Sequence, residues 1–88
     1  MEKPIFFSHH AKQQMLLRGA KTEEVIVTIN SGGRLDAKKG KYKARYEFLC
    51  GETSAQNEQF YQYKRIEAIF ADNPDQIVVI TVKVYYYN

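Results

Sequence analysis

The pattern of apolar residues changes period at Gly33, and this switch restricts the fold more than any other feature of the sequence. Beyond it, Tyr42, Ala44, Tyr46, Phe48 and Cys50 alternate with Lys41, Lys43, Arg45, Glu47 and Leu49. Period-two alternation is the mark of a strand with one buried face, so residues 41–50 are expected to be extended. Residues 60–71 and 77–87 read as two further strands, separated by the turn cluster Asp72-Asn73-Pro74-Asp75. In the last strand Val78, Ile80, Val82, Val84 and Tyr86 are expected on one face. Residues 51–59 are polar, lack an apolar period, and read as a hairpin connection. Connections this short favour an antiparallel meander.

Before Gly33 the spacing is helical. Ser8 is placed to cap a helix over residues 9–18, with Arg18 at its negative end and Gly19 at the left-handed position that follows. A second helix is expected over residues 23–31, opened by the Thr22 hydroxyl and by Glu23 and Glu24, and closed by Gly32-Gly33. The β-branched run Val25-Ile26-Val27-Thr28-Ile29 keeps a strand open as the alternative there. The expected architecture is one α+β domain over residues 1–88. Two N-terminal helices pack on an antiparallel sheet of three to four strands.

Eighty-eight residues are enough for one domain, which hides about 60–65% of its unfolded surface. The one cysteine, Cys50, has no partner for an internal disulfide and no second ligand at metal-binding spacing. A reducing compartment follows, and neither metal nor cofactor is expected. The chain opens without a basic segment leading into an apolar run, and the apolar stretch 77–82 is too short to span a bilayer. The expectation is a cytoplasmic protein with no membrane partner.

The net charge of +3 is unevenly spread. Arg34, Lys38, Lys39, Lys41, Lys43 and Arg45 are opposed within their segment only by Asp36. Such a block suits an anionic partner, with nucleic acid the natural one, or else a solvated loop kept soluble by lysines. On a helical wheel at about 100° per residue, Leu17, His10, Gln14, Arg18, Ala11 and Met15 follow one another around one arc. Three polar residues therefore fall on the side expected to meet the sheet. They either brace the fold or line a cleft, since a buried charge without a partner costs several kcal/mol. His9 points elsewhere, so the His9-His10 pair is unsuited to chelating one metal. Lys64 and Arg65 are adjacent on a strand and must face opposite ways, so one of them shares a face with Thr81 and Tyr85. Tyr61, Tyr63, Tyr85, Tyr86 and Tyr87 are either ordinary strand residues or stacking surfaces for unpaired bases.

Phe7-Ser8-His9-His10-Ala11, Met15-Leu16-Leu17-Arg18-Gly19-Ala20, Glu23-Glu24-Val25 and Val79-Ile80-Thr81-Val82 resemble a small bacterial family of domains of unknown function. Its pattern is roughly F-x-x-HA-x-x-x-M-x-x-RG-hydrophobic-x-x-EEV, ending in a V-I-T-V strand. Ala20 departs from the more usual isoleucine. The family is grouped with the barnase, EndoU, colicin and RelE-like ribonuclease fold, which implies a RelE-like toxin architecture. It also implies a metal-independent endoribonuclease in which the substrate's 2′-OH attacks the adjacent phosphate. His10 would transfer the proton, Arg18 and Arg65 (or Lys64) would clamp the phosphate, and Thr81 and Tyr85 would orient it. Arg34, Lys38, Lys39, Lys41, Lys43, Arg45 and Lys64 would track the RNA backbone. An antitoxin-like protein partner is implied by the same grouping. The alternative is a non-catalytic domain that binds RNA or protein.

Overall fold

The structure, a computed structural model, describes residues 3–53 and 59–88, with the backbone alone for residues 50–53. Seven elements follow in order: β1 (Ile5–Phe7), α1 (His9–Arg18), α2 (Thr22–Ser31), β2 (Gly33–Asp36), β3 (Lys41–Thr53), β4 (Phe60–Asp72) and β5 (Ile77–Tyr87). The strands form one mixed sheet in the order β1-β5-β4-β3-β2. β1 runs parallel to β5, and the other neighbours are antiparallel.

This corrects the expected architecture. The sheet has five strands where three or four were expected, it is not purely antiparallel, and β1 precedes the helices. Both unexpected strands are edges too short to display a period, three residues in β1 and four in β2. β1 is pinned at the far end of the chain, where the Ile77 amide donates to the Pro4 carbonyl and the Ser8 amide to the Val79 carbonyl, each at 2.9 Å.

Local chemistry explains the helices. The Ser8 hydroxyl accepts the Ala11 N–H at 3.0 Å. Gly19 takes φ 82°, a left-handed value that suits glycine, and ends α1. In α2 the cap differs from expectation. Lys21 is the N-cap, and its own N–H is taken by the Glu24 carboxylate at 2.9 Å, so Thr22 is merely the first helical residue. The β-branched run is helical, with Val25, Thr28 and Ile29 buried and the Thr28 hydroxyl donating to the Glu24 carbonyl at 2.8 Å. Gly32 lets this helix end lie against β3. A Cβ there would stand 2.4 Å from the Arg45 carbonyl oxygen and 2.6 Å from that of Thr28.

Residues 51–53, expected in a connection, continue β3. Residues 54–58 of that connection and the Cys50 side chain lie outside the described residues. β5 carries the main departure from simple alternation. Thr81 pairs with Ile69 but Val79 pairs with Phe70, so one extra residue, Ile80, is inserted. The bulge flips parity: Ile77 and Val79 join Val82, Val84 and Tyr86 on the helix-covered side. Val78 and Ile80 do not belong to that face, contrary to expectation.

α1 packs on β5, while α2 packs across β3 and β4. Ala11, Met15, Val25 and Ile29 meet Ala44, Ile66, Ala68, Phe70, Val79 and Val82 in one core. Alanine at 11, 44 and 68 brings the helices close, and Phe70 fills the remaining space. Truncating Phe70 to Ala would cost about 3–5 kcal/mol. The helices cover one face of the sheet, and the opposite face holds Lys41, Lys43, Arg45 and Glu47 of β3, Arg65 and Glu67 of β4, and Lys83 of β5.

Candidate nucleic-acid interface

The open face is laid out by register. β3 contributes Lys41, Lys43, Arg45 and Glu47, paired across to Ala71, Ile69, Glu67 and Arg65 of β4. Beyond them, Ile69, Glu67 and Arg65 pair with Thr81, Lys83 and Tyr85 of β5. Directly opposed residues share a face, so these side chains form three adjoining rows.

Among the described residues, two depressions cross this face. The larger, about 680 Å³, is lined by Asp36, Ala37, Lys38, Lys41, Lys43, Ile69 and Lys83. The smaller, about 350 Å³, is lined by Arg18, Lys83, Val84 and Tyr85 at the β5 edge. Lys83 lines both. Five cations, Lys38, Lys41, Lys43, Lys83 and Arg18, therefore form one track, with Asp36 the acid among the lining residues. Glu67 is nearly buried between the rows, 3.4 Å from the Arg45 guanidinium and directly opposite Lys83.

The residues expected to cleave RNA are only partly brought together. Arg18 and Tyr85 share the smaller depression, while His10, Arg65 and Thr81 line neither. His10 is exposed. The arc of α1 was ordered as expected, but the core lies at one end of it. Leu17 and His10 are exposed, Gln14 and Arg18 are half-buried, and Ala11 and Met15 are buried.

The middle pair of that arc has a definite task. Beyond Val79, β5 no longer has β1 beside it, so its outer edge is bare backbone. α1 covers that edge with side chains. Ser8 Oγ donates to the Ile80 carbonyl at 3.1 Å, and Gln14 Oε1 accepts the Val82 N–H at 2.9 Å. Arg18 Nη1 donates to the Val82 carbonyl at 3.0 Å. Tyr86 closes the contact, its hydroxyl donating to the Arg18 carbonyl at 2.5 Å. Arg18 thus braces the edge and still lines the depression.

Two of the cations expected to track RNA are engaged on the helix side instead. Lys64 is 4% exposed, its Nζ donating to the Gly19 carbonyl at 3.1 Å and to Glu24 Oε1 at 2.9 Å. Arg34 donates to Asp72 Oδ2 at 2.7 Å and lies 5.0 Å from the ring centroids of both Tyr42 and Phe70. Lys39 takes φ 54° in the β2–β3 turn and lines neither depression. Lys38, Lys41 and Lys43 are in the track, with Arg45 beside it. Lys83 is the functional candidate that the sequence left without a role, because its neighbours depend on the β3–β4–β5 register.

Elsewhere several charges are held by neighbouring side chains. A depression of about 410 Å³ on the helix side contains Lys3, Arg34 and Asp72, with Asp72 holding Lys3 at 2.6 Å and Arg34 at 2.7 Å. The hydrogen bond from Lys3, then that from Arg34, holds the Asp72 carboxyl below its ordinary value of 3.8. At the far end of the open face the Tyr87 hydroxyl donates to the Glu47 carboxylate, which raises the phenol above its ordinary range. Arg65 lies 5.6 Å from the Tyr87 ring centroid. Among the described residues no three His, Cys, Asp or Glu side chains gather as metal ligands. No helix there is long and apolar enough to cross a membrane.

Fold and surface together describe a small α+β domain with helices on one side of its sheet and a cationic track on the other. Residues 7–84 match the family model Domain of unknown function (DUF4258), and the chain belongs to that family. No curated protein and no solved structure matches it.

Proposed function

We propose that this domain binds RNA along the open face of its sheet, without cleaving it. The observation that carries this reading is the shared position of Lys83, which joins the two depressions into one line of five cations. A line of separated cations suits a polyanion better than a compact ligand, because each can neutralise a different phosphate. Cleavage would be the activity implied by the ribonuclease-toxin grouping. It requires a proton-transfer group at the phosphate, and His10, to which the resemblance gives that step, lies off the track.

The test is fluorescence anisotropy with labelled RNA over a series of salt concentrations. Binding should weaken steeply with salt, with a log–log slope of about −2 to −3 if three or four phosphates are neutralised. Replacing Lys41, Lys43 and Lys83 together by Gln should flatten that slope while leaving the melting temperature nearly unchanged. An unchanged slope, or no binding at low salt, would overturn the proposal. Total RNA incubated with the protein and EDTA should stay intact. Cleavage that disappears in His10→Ala would replace this reading with the enzymatic one.

A further inference from the structure

We infer that Tyr85 stacks on an unpaired base, so that the RNA taken by this face is single-stranded. The inference rests on the binding proposal above and adds to it the class of RNA. The chain has seven tyrosines. Six of them are engaged. Tyr42 packs near Phe70 with centroids 6.0 Å apart, and Tyr46 near Phe48 at 5.0 Å. Tyr61 lies near Tyr86, and Tyr63 near Tyr87, each at 5.6 Å. Tyr85 alone, among the described residues, has no ring partner, cation contact or hydrogen bond for its side chain. It keeps 46% of its surface exposed.

Its position gives the free ring a use. Tyr85 lines the smaller depression with Arg18 and Lys83, at the end of the cationic track. Lys83 and Tyr85 are two residues apart on one strand face, about 7 Å along the strand. One nucleotide can span that interval, with its phosphate on Lys83 and its base against Tyr85. The cross-strand neighbour of Tyr85 is Arg65, whose guanidinium is turned toward the Tyr87 ring, so the ring face of Tyr85 is left to the ligand. A duplex cannot use such a platform, because each base is already paired and covered by its neighbours. A single strand can, and stacking of this kind tolerates any base.

The experiment compares three probes, a single-stranded RNA 12-mer, the same sequence as a duplex, and inorganic polyphosphate, on the folded full chain. Tyr85→Ala should weaken the single strand roughly 5- to 100-fold and leave polyphosphate unchanged. Tyr85→Phe, which keeps the ring, should bind the single strand like the unaltered protein. The chain contains no tryptophan, so Tyr85→Trp provides one reporter whose fluorescence should be quenched by the single strand and not by polyphosphate. Equal affinity for duplex and single strand would overturn the inference. So would an equal loss on polyphosphate in Tyr85→Ala, which would mark a structural effect. If Tyr85→Ala binds single strands normally while Lys83→Gln does not, stacking falls and the backbone-binding proposal stands. If no probe binds at low salt, both fall.

Discussion

At the scale of single residues, Lys64 and Asp72 show how the helix side spends its charges internally. The ammonium of Lys64 holds the end of α1 to the start of α2, through Gly19 and Glu24. Lys64→Met should destabilise the domain by about 1–3 kcal/mol, because it leaves the Glu24 carboxylate partly buried without its cation. Lys64→Met with Glu24→Gln should recover part of that loss, and RNA affinity should not change in either variant. Thermal melting together with anisotropy checks both outcomes, and a loss of affinity would return Lys64 to the interface. Asp72 makes stability depend on acid. Its carboxyl is held below the ordinary 3.8 by Lys3 and Arg34, so the folded state binds fewer protons than the unfolded chain. That contribution is fully present above about pH 4–5 and is lost as pH falls through the folded value. Asp72→Asn should therefore melt lower than the parent at pH 7, with the gap closing toward pH 3. A gap that stays constant from pH 7 to pH 3 would show that the ion pairs carry no stability.

At the scale of elements, legibility follows period and length. α1 could be bounded from its caps, and β3, β4 and β5 from long alternation with the turn residues between β4 and β5. β1 and β2 gave no such signal, since three or four residues cannot establish a period and their partners are set by tertiary pairing. The Ile80 bulge was invisible for a related reason, because residues 77–82 are apolar on both parities except at Thr81. Only the register shift assigns Val79 to the core. The same register explains the polar arc of α1, which looked like a cleft from the helix alone. It faces an edge strand that needs partners for its backbone. Gln14→Leu should leave the Val82 N–H unsatisfied and cost about 1–3 kcal/mol, with faster hydrogen exchange concentrated at Val82. Unchanged exchange at Val82 would show that the amide finds solvent without opening the strand.

At the scale of the whole molecule, one face of the sheet is used for cohesion and the other is left for charge, and this division limits what sequence could reveal of the site. The basic segment was visible as a block, yet Arg34 from that block turns to the helix side and Lys83 from a distant strand joins the track. Which lysines converge depends on strand order, and composition does not encode it. Glu67 offers the most direct test of the track as an electrostatic unit. It stands between Arg45 and Lys83 and subtracts one charge from the face proposed to bind phosphate. Glu67→Gln keeps nearly the same shape, removes that charge, and releases Arg45 to meet the ligand. Single-stranded RNA should then bind about 2- to 5-fold more tightly at 0.05 M salt. The gain should shrink at 0.15 M, where the Debye length falls to about 8 Å. Thermal melting should be read in parallel, since the Glu67 carboxylate is nearly buried while its Arg45 partner is 45% exposed, and a pair of this kind is not a solvent-exposed one. Anisotropy at the two salt concentrations reads the effect. Weaker binding by Glu67→Gln at both would mean that the carboxylate positions Arg45 for the phosphate, and the track would then depend on geometry more than on summed charge.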